Sequence, residues 1–291
     1  MSLHEDTRTV AIDRLGPDDL VETFAFLDRD PVVNVYLVAL ALRDGLAHPR
    51  DAFWGARREG EITSLLYLGP QSGAVLPVGD DPAGLRLLAE VARERLSALP
   101  RRFQVIGPRA AAAPFVECFA AAGLTPRLAR PQTYMAVARA GFARTGRMPG
   151  LRPAAPEDAA AVFESGVSLR IEELEEDPRQ ADPLAYARRV EEECRDGHTY
   201  VWREDGELRF RASVSAVTGD AAQISGVYTP PALRNRGIAR RGVGELCERL
   251  FERSRAACLF VNDVNAPALT VYRRLGFTAR AAWFSAFYVR R

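Results

Sequence analysis

The chain has 291 residues, of which 47% are hydrophobic, and it carries a formal net charge of +1. This length predicts two domains of roughly 150 residues each. The small net charge argues against binding nucleic acid or anionic lipid through bulk electrostatics, and no run of ~18 apolar residues without charge predicts a membrane span.

The residue types also exclude several kinds of chemistry. All 39 basic residues are arginine, so no lysine is present to act as a nucleophile or form a Schiff base. The 4 cysteines lack C-x-x-C spacing and the 3 histidines are dispersed, which predicts neither a metal site nor a disulfide framework. The first residues show no basic patch followed by an apolar run, so we expect a reduced, cytoplasmic protein.

In the first half, helix and strand patterns alternate. A helix after "LGPDD" leads to the apolar segment "DPVVNVYLVALALRDG". Three strands, a helix, a strand, a helix and a strand are then predicted in "AFWGARR", "EITSLLYLG", "GAVLPVG", "PAGLRLLAEVARERLSAL", "FQVIG", "AAAPFVECFAAAG" and "QTYMAVA". The segment Arg139–Asp158 is rich in Gly, Pro and Arg. It predicts a linker at 141–150 between domains at 1–140 and 151–291.

The second half repeats this order of elements, although not its residues. A short strand and a helix in "LRPAAPEDAAAVFESGV" precede a helix in "LAYARRVEEECRDG". Asp205 and Gly206 predict a hairpin between two strands. A strand "AAQISGVYT", a helix from Gly237, a strand "AACLFVN", a helix capped by Asn265 and a strand "TARAAWFSAFYV" complete the pattern. Arg241, Glu245 and Arg249 are expected to form i,i+4 pairs on the outer face of the helix from Gly237.

Three neighbouring segments carry a more specific signal. Arg234, Gly237 and Ala239 stand in the pattern R-x-x-G-x-A between a strand and a helix. "NAPALTVYRRLGF" follows one strand later, and "SGVYTPPALR" precedes the pattern, with Thr229 where valine is usual. These segments resemble the GCN5-related N-acetyltransferase (GNAT) superfamily, in particular its tandem group with a degenerate N-terminal GNAT-like domain. The resemblance implies an α/β fold (α+β mixed sheet) of two tandem GNAT-like domains, each a central, mostly antiparallel sheet flanked by helices.

The resemblance also implies acetyl-CoA as co-substrate, without a metal. A glycine at a helix start suits this role, because free backbone N–H groups and the helix dipole face a pyrophosphate there. The alternative is an arginine-rich helix start with no ligand, and an Asn265 that only caps its helix. The implied cofactor-binding residues are Val227, Tyr228, Thr229, Arg234, Asn235, Arg236, Gly237, Ile238, Ala239, Arg240 and Asn265.

For catalysis, the resemblance implies Tyr272 as general acid, with a buried core aromatic as the alternative. The general base stays open, because the strand before the glycine turn carries no carboxylate. We expect Glu172 or Glu173 to act as base or as an electrostatic handle for a cationic amine. The alternative for both is an acidic, solvated helix end.

The first half lacks the glycine cradle. Asp80 and Asp81 stand in its place, and two carboxylates there would repel a pyrophosphate. The expected function is acetyl transfer to a primary amine of a small molecule or peptide, by direct attack in a ternary complex. The alternative is a non-catalytic acyl-CoA-binding sensor or scaffold. No nucleic-acid or membrane partner is expected, and formation of a homodimer is left open.

Overall fold

The computed structural model describes residues 10–290, which group into two compact units. The first unit contains residues up to Tyr134, the segment Phe260–Val264 and the chain from Ala279 onward. The second contains Met135–Leu259 and Asn265–Thr278. Almost all of the last strand therefore belongs to the first unit, whereas the helix before it belongs to the second.

The secondary structure follows the predicted alternation closely. In chain order the strands and helices are β1 (Val10–Leu15), α1 (Leu20–Leu27), α2 (Val35–Asp44), β2 (Ala52–Arg58), β3 (Glu61–Gly69), β4 (Ala74–Gly79), α3 (Pro82–Glu94), β5 (Arg102–Pro108), α4 (Arg109–Ala121), β6 (Leu128–Ala138), β7 (Arg152–Pro153), α5 (Ala159–Leu174), α6 (Pro178–Ala181), α7 (Pro183–Arg195), β8 (Thr199–Glu204), β9 (Glu207–Val217), β10 (Ala221–Tyr228), α8 (Ile238–Leu250), β11 (Ala256–Asn262), α9 (Ala266–Arg274) and β12 (Thr278–Val289). Strand β1 was not predicted from the sequence. In the structure its residues do not alternate regularly between buried and exposed positions.

In the first unit the strands lie in the order β1-β2-β3-β4-β5-β12. Strands β4 and β5 are parallel, and the other neighbours in this order are antiparallel. Phe103 of β5 stacks on Tyr288 of β12 with ring centroids 4.9 Å apart, and Phe119 of α4 meets both rings edge-on. The C-terminal strand thus completes the core of this unit.

In the second unit the order is β11-β10-β9-β8-β7, with β10 and β11 as the parallel pair. The predicted hairpin between β8 and β9 is confirmed, since Asp205 and Gly206 have φ values of 52° and 82°. Phe210 of β9 packs against Gly242 of α8, and its neighbour Arg211 bonds the carbonyl of Val162 in α5. Successive strand residues point to opposite faces, so α8 and α5 cover the two faces of this sheet.

Each unit therefore has the same order of elements around its own mostly antiparallel strands. Helices (α1 and α2 in the first unit, α5 to α7 in the second) precede a three-stranded antiparallel run, and a helix, a parallel strand and a further helix follow. This repetition confirms the predicted mixed α/β fold in tandem. In the described part of the chain, no helix has the length and apolar character needed to cross a membrane.

The segment proposed as a linker is packed onto α8. Phe142 contacts Phe251 with ring centroids 5.3 Å apart, and Met148 is buried. Glu245 is also buried, and it accepts hydrogen bonds from Arg147 at 2.9 Å and from the Met148 N–H at 3.1 Å. The prediction that Glu245 lies on the outer face of α8 is wrong, because this segment covers it. Its pairing with Arg249, at 3.4 Å, is confirmed.

Candidate functional site

The parallel strands β10 and β11 separate after a short ladder. Ala221–Gln223 lie opposite Ala256–Cys258, and among the described residues no further pair joins these two strands. On its other edge β10 stays paired with β9, with an irregular register between Ser225 and Tyr228. Gly226 lies in this irregularity with φ of 58°, a left-handed value that favours glycine. The end of β10 can therefore offer backbone donors and acceptors to a ligand, as an unpaired strand edge does.

The turn after β10 ends in an open helix start. Gly237 is the N-cap of α8 with φ of 75°, and its carbonyl accepts the first helical hydrogen bond from the Arg241 N–H at 3.1 Å. Asn235 is also left-handed, with φ of 62°. A Cβ placed on Gly237 would meet no heavy atom within 4 Å. The first N–H groups of the helix have no intrahelical partners and follow directly on this open position, an arrangement suited to an anion.

Some side chains around this helix start are buried and hold the helix in place, and others are exposed arginines. Ile238 is buried and fixes the first turn, and Ala239 is half-buried. Arg236 and Arg240 are exposed, and in the described part of the chain neither guanidinium has an ion-pair or hydrogen-bond partner. Both are thus available to an anionic ligand at the helix start.

Arg234 ties the turn to α5. Its Nε donates to the carbonyl of Thr229 at 3.0 Å, and its Nη2 lies 2.8 and 2.9 Å from the two carboxylate oxygens of Glu172. The guanidinium also lies 5.8 Å from the centroid of the Tyr228 ring. Glu172, expected as a base or an amine handle, is therefore occupied by a cation in this structure. The structure thus pairs Arg234, which was predicted to bind the cofactor, with Glu172, which was predicted to act on the amine.

Tyr272 lies on the inner face of α9, only 7% exposed, and its ring contacts Phe277 at a centroid distance of 5.8 Å. Burial raises the pKa of its hydroxyl well above the ordinary value, and the negative charge of Glu173 adds to the rise. The negative charge of Glu173 therefore acts on Tyr272. A tyrosine hydroxyl is protonated at neutral pH even at its ordinary pKa, so Tyr272 has the proton that a general acid needs, while burial makes it a weaker acid.

Asn265 caps α9, as predicted. Its Oδ1 accepts from the Ala268 N–H at 3.1 Å. The capping role is confirmed, and contact with a cofactor stays a prediction.

Two buried polar groups lie near this site, of which Thr229 was predicted to bind the cofactor and Arg211 was missed by the sequence reading. The hydroxyl of Thr229, at the end of β10, is buried and has no hydrogen-bond partner in the described chain. Arg211 of β9 is a buried cation that faces α5 and α7. A charged residue at an inward position of the alternating segment "ELRFRASVSAV" was the available signal.

The first unit closes the equivalent helix start with its own carboxylate. Asp81 is the N-cap of α3; its Oδ1 accepts from the Ala83 N–H at 3.1 Å and lies 3.2 Å from Arg58 Nη2. Burial alone would raise the pKa of Asp81, but hydrogen bonds from Arg58, Thr63 and backbone N–H groups outweigh it and lower the pKa. An ionised carboxylate thus takes the place of an anionic ligand. Within residues 10–290, no group of three or more His, Cys, Asp or Glu side chains is arranged to hold a metal ion.

The profile of the Acetyltransferase (GNAT) family matches residues 168–277, the stretch that contains the open helix start, β11 and α9. Residues 168–277 form a GNAT acetyltransferase domain. By this family the chain is an acyltransferase, and its two units fit a tandem GNAT arrangement. No curated protein sequence matches the chain.

Solved structures, among them two GNAT proteins, share this fold over nearly the whole chain. A GCN5-related N-acetyltransferase from Sphaerobacter thermophilus is 17% identical with a TM-score of 0.59, covering 98% of this chain and 96% of its own. A tandem GNAT protein from the clavulanic acid biosynthesis pathway is 18% identical with a TM-score of 0.54, covering 96% and 98%. A Drosophila protein is 14% identical with a TM-score of 0.63 and the same coverage. At these identities the similarity establishes the fold alone.

Proposed function

We propose that the second unit is an acetyl-CoA-dependent N-acetyltransferase that acetylates a primary amine by direct attack in a ternary complex. The observation that carries the proposal is the open start of α8, where Gly237 leaves room before a row of free N–H groups. A diphosphate fits such a site by charge and by hydrogen bonding. Arg236 and Arg240 supply further positive charge at its rim.

The remaining predicted cofactor residues fit the same ligand. Strand β10 leaves β11 before Val227, so backbone groups of Val227–Thr229 are suited to bind an extended amide-containing arm. The buried hydroxyl of Thr229 adds a polar group without a protein partner. Acetyl-CoA supplies the activated thioester to this site.

The catalytic steps are assigned to this chain's own residues. A backbone N–H near Val227 donates to the carbonyl oxygen that becomes negative as the amine attacks. Glu173, whose negative charge acts on Tyr272, accepts a proton from the amine, directly or through one water. The Tyr272 hydroxyl, which is protonated at neutral pH, donates a proton to the departing thiolate. The acceptor is a primary amine of a small molecule or a peptide, and we place the reaction in the cytoplasm.

The test is to incubate the protein with acetyl-CoA and a panel of amines, and to measure the free CoA thiol and the acetylated acceptor by mass spectrometry. Amine-dependent release of CoA together with an acetylated product supports the proposal. Binding of acetyl-CoA without release across the panel would instead support a sensor or scaffold. Absence of binding would refute both.

A further inference from the structure

Arg211 is a buried cation without a carboxylate partner. Its side chain is 5% exposed, its Nη1 donates to the carbonyl of Val162 at 2.9 Å, and its Nη2 donates to Ser213 Oγ at 3.3 Å. Its Nε has no hydrogen-bond partner in the described chain. An arginine stays charged when it is buried, so removing it from water without a counter-ion is costly. Such a residue calls for an anion that the protein itself does not supply.

The surroundings of Arg211 add positive charge. The Tyr186 ring lies against the guanidinium groups of Arg170 and Arg189, which are 5.9 and 5.6 Å from its centroid. Burial lowers the pKa of Arg211, and the charge of Glu193 opposes this effect from beyond ion-pairing distance. A region between α5, α7 and β9 thus concentrates arginine around one aromatic ring.

Gly166 fits closely beside the guanidinium, whereas Gly226 leaves room for one carbon-sized atom next to it. A Cβ on Gly166 of α5 would lie 3.0 Å from Nη1 and would clash with the Tyr186 hydroxyl. An atom at the Cβ position of Gly226 would lie 3.5 Å from Nη2 and 3.4 Å from Ser213 Oγ, an ordinary van der Waals separation. A ligand atom can therefore stand beside Nη2 at the irregularity of β10, one residue before Val227. This position adjoins the strand assigned to the acyl donor.

We propose that the amine acceptor also carries a carboxylate, and that Arg211 binds it. The inference rests on the proposed acetyl transfer at the same site. A guanidinium is the side chain best matched to a carboxylate in charge and in paired hydrogen bonds. Glu173 stands seven residues after Gly166 on α5, roughly 10 Å along the helix axis. The cationic amine of an amino acid would thus meet Glu173 on α5, and its carboxylate would meet Arg211 on β9, whose guanidinium lies beside Gly166 of the same helix.

The test compares acceptors that differ only in the carboxylate: β-alanine with β-alaninamide, and 4-aminobutyrate with 4-aminobutanamide. Phosphoethanolamine serves as the phosphate arm. In the wild type, kcat/KM for each carboxylate should exceed that for its amide at least 10-fold. In Arg211→Met the ratio should approach one, while the acetyl-CoA thermal shift is retained. Equal rates for each pair in the wild type, or preference for phosphoethanolamine, would overturn the proposal.

A binding experiment distinguishes failure of the carboxylate site from failure of the proposed acetyl transfer. Thermal shifts are measured with each carboxylate and amide in the presence of CoA. If no acceptor turns over but the carboxylates alone stabilise the wild type, and not Arg211→Met, acetyl transfer fails and the carboxylate site stands. If neither turnover nor a carboxylate-specific shift occurs, the carboxylate site is refuted. Arg211→Lys, which keeps the charge but loses the paired donors, decides the question should the methionine variant not fold; it should lose most of the preference.

Discussion

Replacing Gly237 by alanine tests the anion cradle at the start of α8, and the chain offers a matched control. Gly237 and Gly206 have φ values of 75° and 82°, and at neither would a Cβ meet an atom within 4 Å. Alanine in this left-handed region costs roughly 1–2 kcal/mol at either position. For a chain of this length, about 2–4 °C of Tm corresponds to each kcal/mol. Both variants should therefore lose about 2–8 °C without ligand.

The two variants should differ only when acetyl-CoA is present. At a ligand concentration 100 times Kd, binding stabilises the wild type by about 2.7 kcal/mol, or about 5–11 °C. The methyl group of Gly237→Ala enters the open space before the helix N–H groups, where the diphosphate is proposed to approach. If affinity falls about 100-fold, the ligand then contributes about 0.4 kcal/mol and shifts Tm by less than about 2 °C.

The assay is thermal unfolding of wild type, Gly237→Ala and Gly206→Ala, each with and without acetyl-CoA. The Gly206 variant should show the full ligand shift from its lowered baseline. An equal shift in Gly237→Ala and wild type would refute the cradle, because it would mean that no ligand group comes within a methyl radius of Gly237.

Four further variants test the remaining assignments. Tyr272→Phe should lower kcat at least 10-fold with unchanged acetyl-CoA affinity, and the wild-type pH profile should show no loss from Tyr272 ionisation below about pH 10, since burial raises its pKa. Unchanged kcat would remove Tyr272 from the mechanism. Glu173→Gln should lower kcat more than Glu172→Gln, because the charge of Glu173 acts on Tyr272; the reverse order would make Glu172 the base. Glu245→Gln should destabilise the protein by about 2 kcal/mol at pH 7 in denaturant titrations. The Glu245 pKa lies below 4.5 in the folded state, so this loss should shrink as pH falls below that value, and a constant loss would contradict the role of the charge.

Local signals explain what could be predicted from the sequence. The helix from Gly237, the hairpin at Asp205 and Gly206 and the cap at Asn265 each depend on residues a few positions apart. Their turn and capping chemistry fixes the structure without reference to the rest of the chain. The order of elements and the family resemblance follow from the same short segments.

Long-range pairings explain what could not be predicted. Glu172 and Arg234 meet across 62 positions, and Glu245 meets Arg147 across 98. The sequence around each residue does not indicate its distant partner, so the carboxylates were predicted to be solvated or catalytic. The pairing of β12 with β5 could not be predicted either. The hydrophobic pattern of a strand indicates which of its residues are buried, but it does not specify which strand lies next to it.

The pairing of β12 with β5 determines the order in which the two units can complete their folding during synthesis on the ribosome. The second unit ends at Thr278, so all of its residues emerge before Tyr288 does. The first unit, although synthesised first, exposes the β5 edge and the faces of Phe103 and Phe119 until the final strand arrives. At ordinary translation rates this interval lasts roughly 10–30 s. The first unit thus completes its folding after the second. Its exposed strand edge and aromatic faces can promote aggregation until β12 covers them.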